Sequence, residues 1–184
     1  MTKTLQKIPQ SLALLHQLDV VIFSWAMKRK RALLLAKLGR AVSRTADGFG
    51  YPFLALGLAV CAGDSGAALA TAMVLAFALE RPLYYVLKNG LKRDRPASAL
   101  PNYQSFIIPS DQFSFPSGHT SGAFLTATLL CLYFPAVAPV ALLWAALVGA
   151  SRVTLGVHFP TDTLAGAAMG STLAWCAAII VGGI

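Results

Sequence analysis

Long apolar runs dominate this chain, and its charged residues gather only at their edges. The runs cover residues 48–63, 66–87, 118–134, 136–152 and about 160–182. A helix needs roughly 17–25 mostly apolar residues to cross a bilayer, so each run reads as a span, the first a little short. Of the 184 residues, 57% are hydrophobic and only 12% are charged. Soluble domains carry about 25% charged residues. The expected fold is therefore all-α: a polytopic membrane helix bundle of about five spanning helices, preceded by N-terminal amphipathic helices. No polar stretch is long enough to form a separate soluble module.

Two regions are expected. Residues 1–47 form an N-terminal interfacial, amphipathic basic region, and residues 48–184 form the membrane-embedded domain. In 11–27, Leu12, Leu15, Val20 and Phe23 line one helical face, interrupted by His16, Gln17 and Asp19. That pattern suits a helix lying in the interface. The cluster Lys28-Arg29-Lys30-Arg31 leads into 32–45, where Leu33, Leu34 and Leu38 oppose Lys37, Arg40 and Arg44. Such a helix lies along anionic headgroups. No signal-peptide cleavage pattern follows the N-terminus, so insertion is expected to rely on the internal apolar segments.

Charge and cysteines narrow the function classes. The formal net charge is +8. It points to anionic headgroups or a phosphorylated substrate; nucleic acid is excluded because the apolar runs leave little soluble surface to present. Cys61, Cys131 and Cys176 are odd in number and lack Cys-x-x-Cys spacing, so they read as small buried hydrophobes. Gly166 and Gly170, with Ala167 and Ser171, give the last run the small-xxx-small spacing that lets helix backbones approach closely. The polar connection 89–117 carries Tyr103, Phe106, Phe113 and Phe115, which suggests an ordered lid.

Three polar clusters break the pattern. They are Lys88 with Arg95-Pro96, then Pro116-Ser117-Gly118-His119, then Ser151-Arg152 with His158 and Asp162. Ionisable groups beside hydrocarbon are costly, so their presence at run edges suggests function. Consecutive spans alternate direction, which places the end of 66–87, the start of 118–134, the end of 136–152 and the start of 160–182 on one membrane face. The clusters converge by topology.

Their chemistry suits a phosphate. A helix opening at Ser117-Gly118 offers unpaired N–H groups and close backbone approach to an anion. Lys88, Arg95 and Arg152 supply a point charge and forked donors for phosphoryl oxygens. Asp162, four residues after His158, can reach back to the imidazole and fix its tautomer. Lys92 and Arg93 read as headgroup-snorkelling cations, and Glu80-Arg81 as an internal charge pair. With one carboxylate among three cations, the clusters do not make a convincing metal set.

These spacings resemble the three-part signature of the type 2 phosphatidic acid phosphatase family of integral-membrane lipid phosphatases. The match covers roughly 66–182 and includes every signature position. The resemblance implies that His158 attacks phosphorus to form a phosphohistidine, oriented by Asp162, and that His119 protonates the leaving group. It implies that Lys88, Arg95, Ser117, Gly118 and Arg152 bind the phosphoryl oxygens, with no metal or cofactor. The expected partners are a lipid phosphate substrate and membrane lipids, with no nucleic acid and no obligate protein partner. Phosphatidylglycerol phosphate, phosphatidate and undecaprenyl diphosphate all fit as substrates. A lipid-to-lipid phosphotransferase and a non-enzymatic phospholipid-binding or transport protein are the alternatives. The expected location is a bacterial inner membrane. The family usually works on the extracytoplasmic face, but the basic cluster and helix at 28–45 favour a cytoplasm-facing site by the positive-inside tendency.

Overall fold

The computed structural model describes residues 10–28 and 31–182. Arg29, Lys30 and the Leu12 side chain lie outside them. Among the described residues all regular structure is helical: α1 (Gln10–Met27), α2 (Ala32–Arg44), α3 (Gly50–Cys61), α4 (Gly63–Leu91), a short α5 (Pro96–Ala99), α6 (Gly118–Tyr133), α7 (Ala138–Thr154) and α8 (Pro160–Val181). Helices α4, α6, α7 and α8 pack into a bundle, α3 lies on α4, and α2 lies on α7. Leu69, Met73, Leu125 and Leu129 are fully buried or nearly so at the centre.

Three described stretches are long and apolar enough to cross a membrane: Gly63–Ala99, Pro135–Thr154 and Pro160–Val181. The expected runs at 48–63 and 118–134 form shorter helices of 12 and 16 residues. At about 1.5 Å per residue, both fall short of a hydrocarbon core of about 30 Å. Large side chains such as Leu56, Val86, Val140, Leu143 and Ile179 point outward. An apolar exterior of this kind is stable against lipid.

Helices α6 and α8 share the most extensive contact in the bundle, and their backbones approach closely. A Cβ added at Gly170 would stand 2.1 Å from the Ser121 carbonyl oxygen, and one at Gly166 would stand 2.5 Å from that of Ser117. The small-residue stripe therefore packs on backbone, as its spacing predicts.

The N-terminal helices differ from their expected faces. In α1 Leu15 is exposed, Val20 is partly buried, and Phe23 is buried with Asp19. Phe23 packs edge-on against Tyr103 and Phe159, with centroids 5.1 and 5.5 Å apart. In α2 the inward face is Ala36, Gly39 and Ser43, and the leucines point outward. Close packing on α7 selects the small residues over the large apolar ones. Cys61 and Cys176 are exposed and Cys131 is partly so, contrary to the expected burial. They sit on outward faces, where lipid is as apolar as a core.

Gly170→Ala should destabilise the protein by about 1–3 kcal/mol, because the added methyl must push α6 away. Gly57→Ala, inside α3, meets no described atom within 4 Å and should be neutral or stabilising by up to about 1 kcal/mol, the helix-propensity gain. Unfolding in detergent micelles checks both; equal stability of the two variants would contradict the α6–α8 packing.

Candidate active site

The site forms where α6 and α8 begin. Pro160 occupies the first turn of α8, where its missing N–H costs nothing. Asp162, in the same turn, accepts the Phe159 N–H at 2.8 Å. The Ser117 N–H donates to the Asp162 carbonyl oxygen at 3.0 Å. The two helix starts are thus tied together, and His158 and His119 are carried to neighbouring positions.

His158 is almost completely buried in the turn before α8. Its Nε2 lies 3.4 Å from Arg95 Nη1. An arginine can only donate, so Nε2 is the lone-pair nitrogen and the ring proton belongs on Nδ1. Nδ1 faces Asp162 Oδ2 at 3.6 Å. That is longer than a hydrogen bond, and among the described residues Nδ1 has no hydrogen-bond partner. Burial, together with the charges of Arg95 and Arg152, pushes the imidazole down to about 4 despite the opposing influence of Asp162.

Asp162 is itself clamped. Arg93 Nη1 donates to its Oδ1 at 2.7 Å and to Thr161 Oγ1 at 2.7 Å, while Arg93 Nη2 donates to Asp19 Oδ2 at 2.6 Å. Asp19 also accepts from the Thr161 hydroxyl and, at 3.0 Å, from the Thr161 N–H. Arg93 is therefore not a snorkelling cation. Helix α4 ends at Leu91, and Lys92, with φ +47°, turns the chain back over α8. Asp19, midway along α1, meets the first turn of α8, which places α1 at the site end of the bundle.

The remaining candidates surround the histidines. His119 Nε2 lies 3.0 Å from Asp47 Oδ1. Arg152 is buried, donates to Ser43 Oγ at 2.6 Å, and among the described residues leaves Nε without a partner. Lys88 and Arg95 are buried, and both bond to Asp111, as does the Tyr84 hydroxyl. Burial pushes the Asp111 carboxyl up, but hydrogen bonds from Lys88 and Tyr84 and the charges of Lys88 and Arg95 outweigh it. The group is held well below the usual carboxylate range. Ser117 is fully buried, with its hydroxyl 2.9 Å from Thr120 Oγ1. Gly118 is small for a reason the sequence does not reveal: a Cβ there would sit 2.9 Å from the Tyr84 ring.

Two cavities meet at this site. One, of about 800 Å³, is lined at its polar end by Asp111, His119, Arg152 and His158, and along its length by Tyr51, Ala55, Met73, Val74 and Phe77. The other, of about 590 Å³, is polar and is lined by Arg40, Ser43, Arg44 and Asp47; it shares His119 and Arg152 with the first. The geometry can hold an anion among cations, with an unprotonated imidazole nitrogen facing it and a second imidazole nearby.

Sequence reasoning missed Asp19, Asp47, Tyr84, Arg93 and Asp111. Two carried a signal: Asp19, because an acid inside an otherwise apolar helix requires a partner, and Tyr84, which stands one helical turn before Lys88. Asp47 and Asp111 lie outside regular helices, and Arg93 is placed by the turn at Lys92.

Residues 65–183 match the PAP2 superfamily. Over 112 residues the chain is 36% identical to a phosphatidylglycerophosphatase B of Bacillus subtilis (strain 168), covering 55% of this chain and 52% of that one. Over 121 residues it is 33% identical to the bacitracin transport permease protein BcrC of Bacillus licheniformis, covering 64% and 60%. The chain thus spans about half the length of the first of these relatives. Its fold superposes with a TM-score of 0.72 on the crystal structure of a transmembrane PAP2-type phosphatidylglycerolphosphate phosphatase from Bacillus subtilis. That match has 26% identity and covers 93% of this chain and 88% of the other.

The His158 environment sets a titration. A ring-labelled sample in detergent micelles, followed by NMR, should show His158 neutral down to about pH 4. Arg95→Gln should raise the midpoint, because a positive charge is removed. A parent midpoint near the ordinary value of about 6.5 would contradict this electrostatic picture. The unfolded chain takes up the proton near 6.5 and the native protein near 4. Native stability should therefore fall as pH drops through that window.

Proposed function

The chain belongs to the PAP2 superfamily, and on that premise we propose that it is a membrane lipid phosphate phosphatase working through a phosphohistidine. The observation that carries this reading is the larger cavity. Its polar end holds His119, Arg152 and His158, and its long wall is apolar. A phosphoryl group attached to a hydrocarbon tail fits both parts at once.

In the first step His158 Nε2 attacks phosphorus, and the bond from phosphorus to the leaving oxygen breaks. His119 gives that oxygen a proton. Asp162, held by Arg93 and the Phe159 N–H, stabilises the positive charge on the histidine ring. Lys88, Arg95 and Arg152 neutralise the charge spread over the phosphoryl oxygens, with the Gly118 N–H as a further donor. Asp111 engages Lys88 and Arg95 in this structure; its carboxylate stands in for the phosphoryl group and yields to it. Ser117 reaches the substrate by turning its hydroxyl away from Thr120. In the second step His119 takes a proton from water, whose oxygen bonds to phosphorus as the nitrogen–phosphorus bond breaks. Inorganic phosphate leaves, and His158 is restored. The covalent intermediate divides one hard displacement into two.

Water is the acceptor favoured over a second lipid, because the polar cleft beside His119 and Arg152 gives it an approach separate from the tail cavity. Phosphatidylglycerol phosphate, phosphatidate and undecaprenyl diphosphate are the candidate substrates. The first is supported by the relative named a phosphatidylglycerophosphatase. The location is a bacterial inner membrane with the site facing the cytoplasm. Ser43 bonds to Arg152, which keeps basic α2 on the site side and supports that orientation by the positive-inside tendency.

His158→Ala should abolish both phosphate release and the acid-labile phosphoenzyme. His119→Ala should slow release by about 10²–10⁴-fold, the usual contribution of a general acid. Phosphate release from the three lipids in micelles, with folding checked by gel filtration, measures this; full activity in either variant would sink the assignment. For orientation, a cysteine placed at Asn102 in a variant lacking Cys61, Cys131 and Cys176 should react with an impermeant maleimide only after cells are permeabilised. Labelling of intact cells would reverse the orientation.

A further inference from the structure

Arg81 is the one charged residue on the apolar side of the larger cavity among the residues that line it. It lies ten residues before the end of α4, within the stretch long enough to cross the membrane. A cation at such depth needs an anionic partner. Glu80 supplies part of one: its carboxylate is fully buried and holds Arg81 Nε. Among the described residues the two terminal nitrogens of the guanidinium have no hydrogen-bond partner, and the side chain is 44% exposed. Glu80 thus fixes one edge of the fork and leaves the other edge open.

The orientation of that fork is set by Tyr84. The Arg81 guanidinium carbon lies 4.9 Å from the Tyr84 ring centroid, and Lys88 Nζ lies 4.5 Å from the same centroid. One aromatic ring therefore bridges the cation in the tail cavity and a cation of the proposed phosphate cradle. Residues 81, 84 and 88 recur at the three- and four-residue spacing of one helix face. They form a line from the site toward the apolar wall.

We infer that Arg81 is a subsite for a second phosphoryl group, lying between the reacting phosphorus and the hydrocarbon tail. This deepens the proposed phosphatase reading and rests on it. Two lipid chemistries place an anion there. In a polyprenyl diphosphate the second phosphoryl is joined directly to the first; in phosphatidylglycerol phosphate a glycerol separates them. Phosphatidate has none. With a diphosphate, breaking the bridging bond leaves new negative charge on the proximal phosphate, and the open guanidinium edge receives it. The subsite favours substrates with two phosphoryl groups over simple monoesters.

The test compares the parent with Arg81→Gln, Arg81→Lys and the double variant Glu80→Gln/Arg81→Gln. The double variant avoids leaving Glu80 buried and unpaired. Hydrolysis of phosphatidylglycerol phosphate, a polyprenyl diphosphate and phosphatidate is measured in micelles. The expected kcat/KM loss for at least one two-phosphoryl substrate is about 10–100-fold, the scale of a charge-assisted hydrogen bond. It should exceed the phosphatidate loss at least about tenfold, with partial recovery in Arg81→Lys. The more affected arm identifies the spacing of the two phosphates. Equal losses on all three lipids, or none, would overturn the subsite. A binding arm separates this inference from the activity itself. In a His158→Ala background, a polyprenyl diphosphate should bind more tightly than the monophosphate, and Arg81→Gln should erase the preference. If that preference appears while the parent hydrolyses none of the lipids, the phosphatase reading fails and the subsite stands. If hydrolysis occurs without any Arg81-dependent preference, the subsite falls and the phosphatase reading stands.

Discussion

Helices α6 and α8 touch backbone to backbone along Gly166 and Gly170, and everything at the site follows from how close they come. Side chains of ordinary size on that stripe would hold the helices apart. With glycine there, the two helix starts sit side by side and share the Ser117-to-Asp162 hydrogen bond. His119 rides on the start of one helix, and His158 precedes the start of the other. Their proximity is therefore a consequence of packing in the bundle, where rigid helices fix positions that loops would leave loose.

Around this frame the cations are restrained by carboxylates from distant parts of the chain. Asp111 takes Lys88 and Arg95, Asp162 and Asp19 share Arg93, and Asp47 sits on His119. Several like charges buried near one another repel strongly in a medium of low dielectric, and unpaired they would oppose folding. Pairing lets the site assemble before a substrate arrives. It also explains why α1 and the turn before α3, both outside the matched family region, belong to the site's architecture. The same low dielectric leaves His158 neutral and its Nε2 lone pair available.

Much of this was legible from the residues. The apolar runs predicted an all-helical membrane bundle, and the alternation of spans predicted that the polar clusters converge. His119, Arg152 and His158 do line one cavity. The glycine stripe read correctly because its function is local: spacing alone puts small residues on one helix face. Arg93 read wrongly because Lys92 reverses the chain, and no spacing rule announces that turn. The cysteines read wrongly because an apolar neighbourhood in sequence does not say whether a helix face meets protein or lipid.

The sequence by itself determined that this chain is a helical membrane protein, that its ionisable groups collect at one end, and that their types suit a phosphate. Those properties are set by composition and period, which act over a few helical turns. Tertiary structure alone decided which carboxylate meets which cation, that Tyr84 stands where a side chain at position 118 would go, and that Arg81 opens into the larger cavity. Such pairings depend on the rotation and depth of each helix against its neighbours. A change of a few ångströms there redirects a side chain without altering the sequence pattern that placed it on the helix.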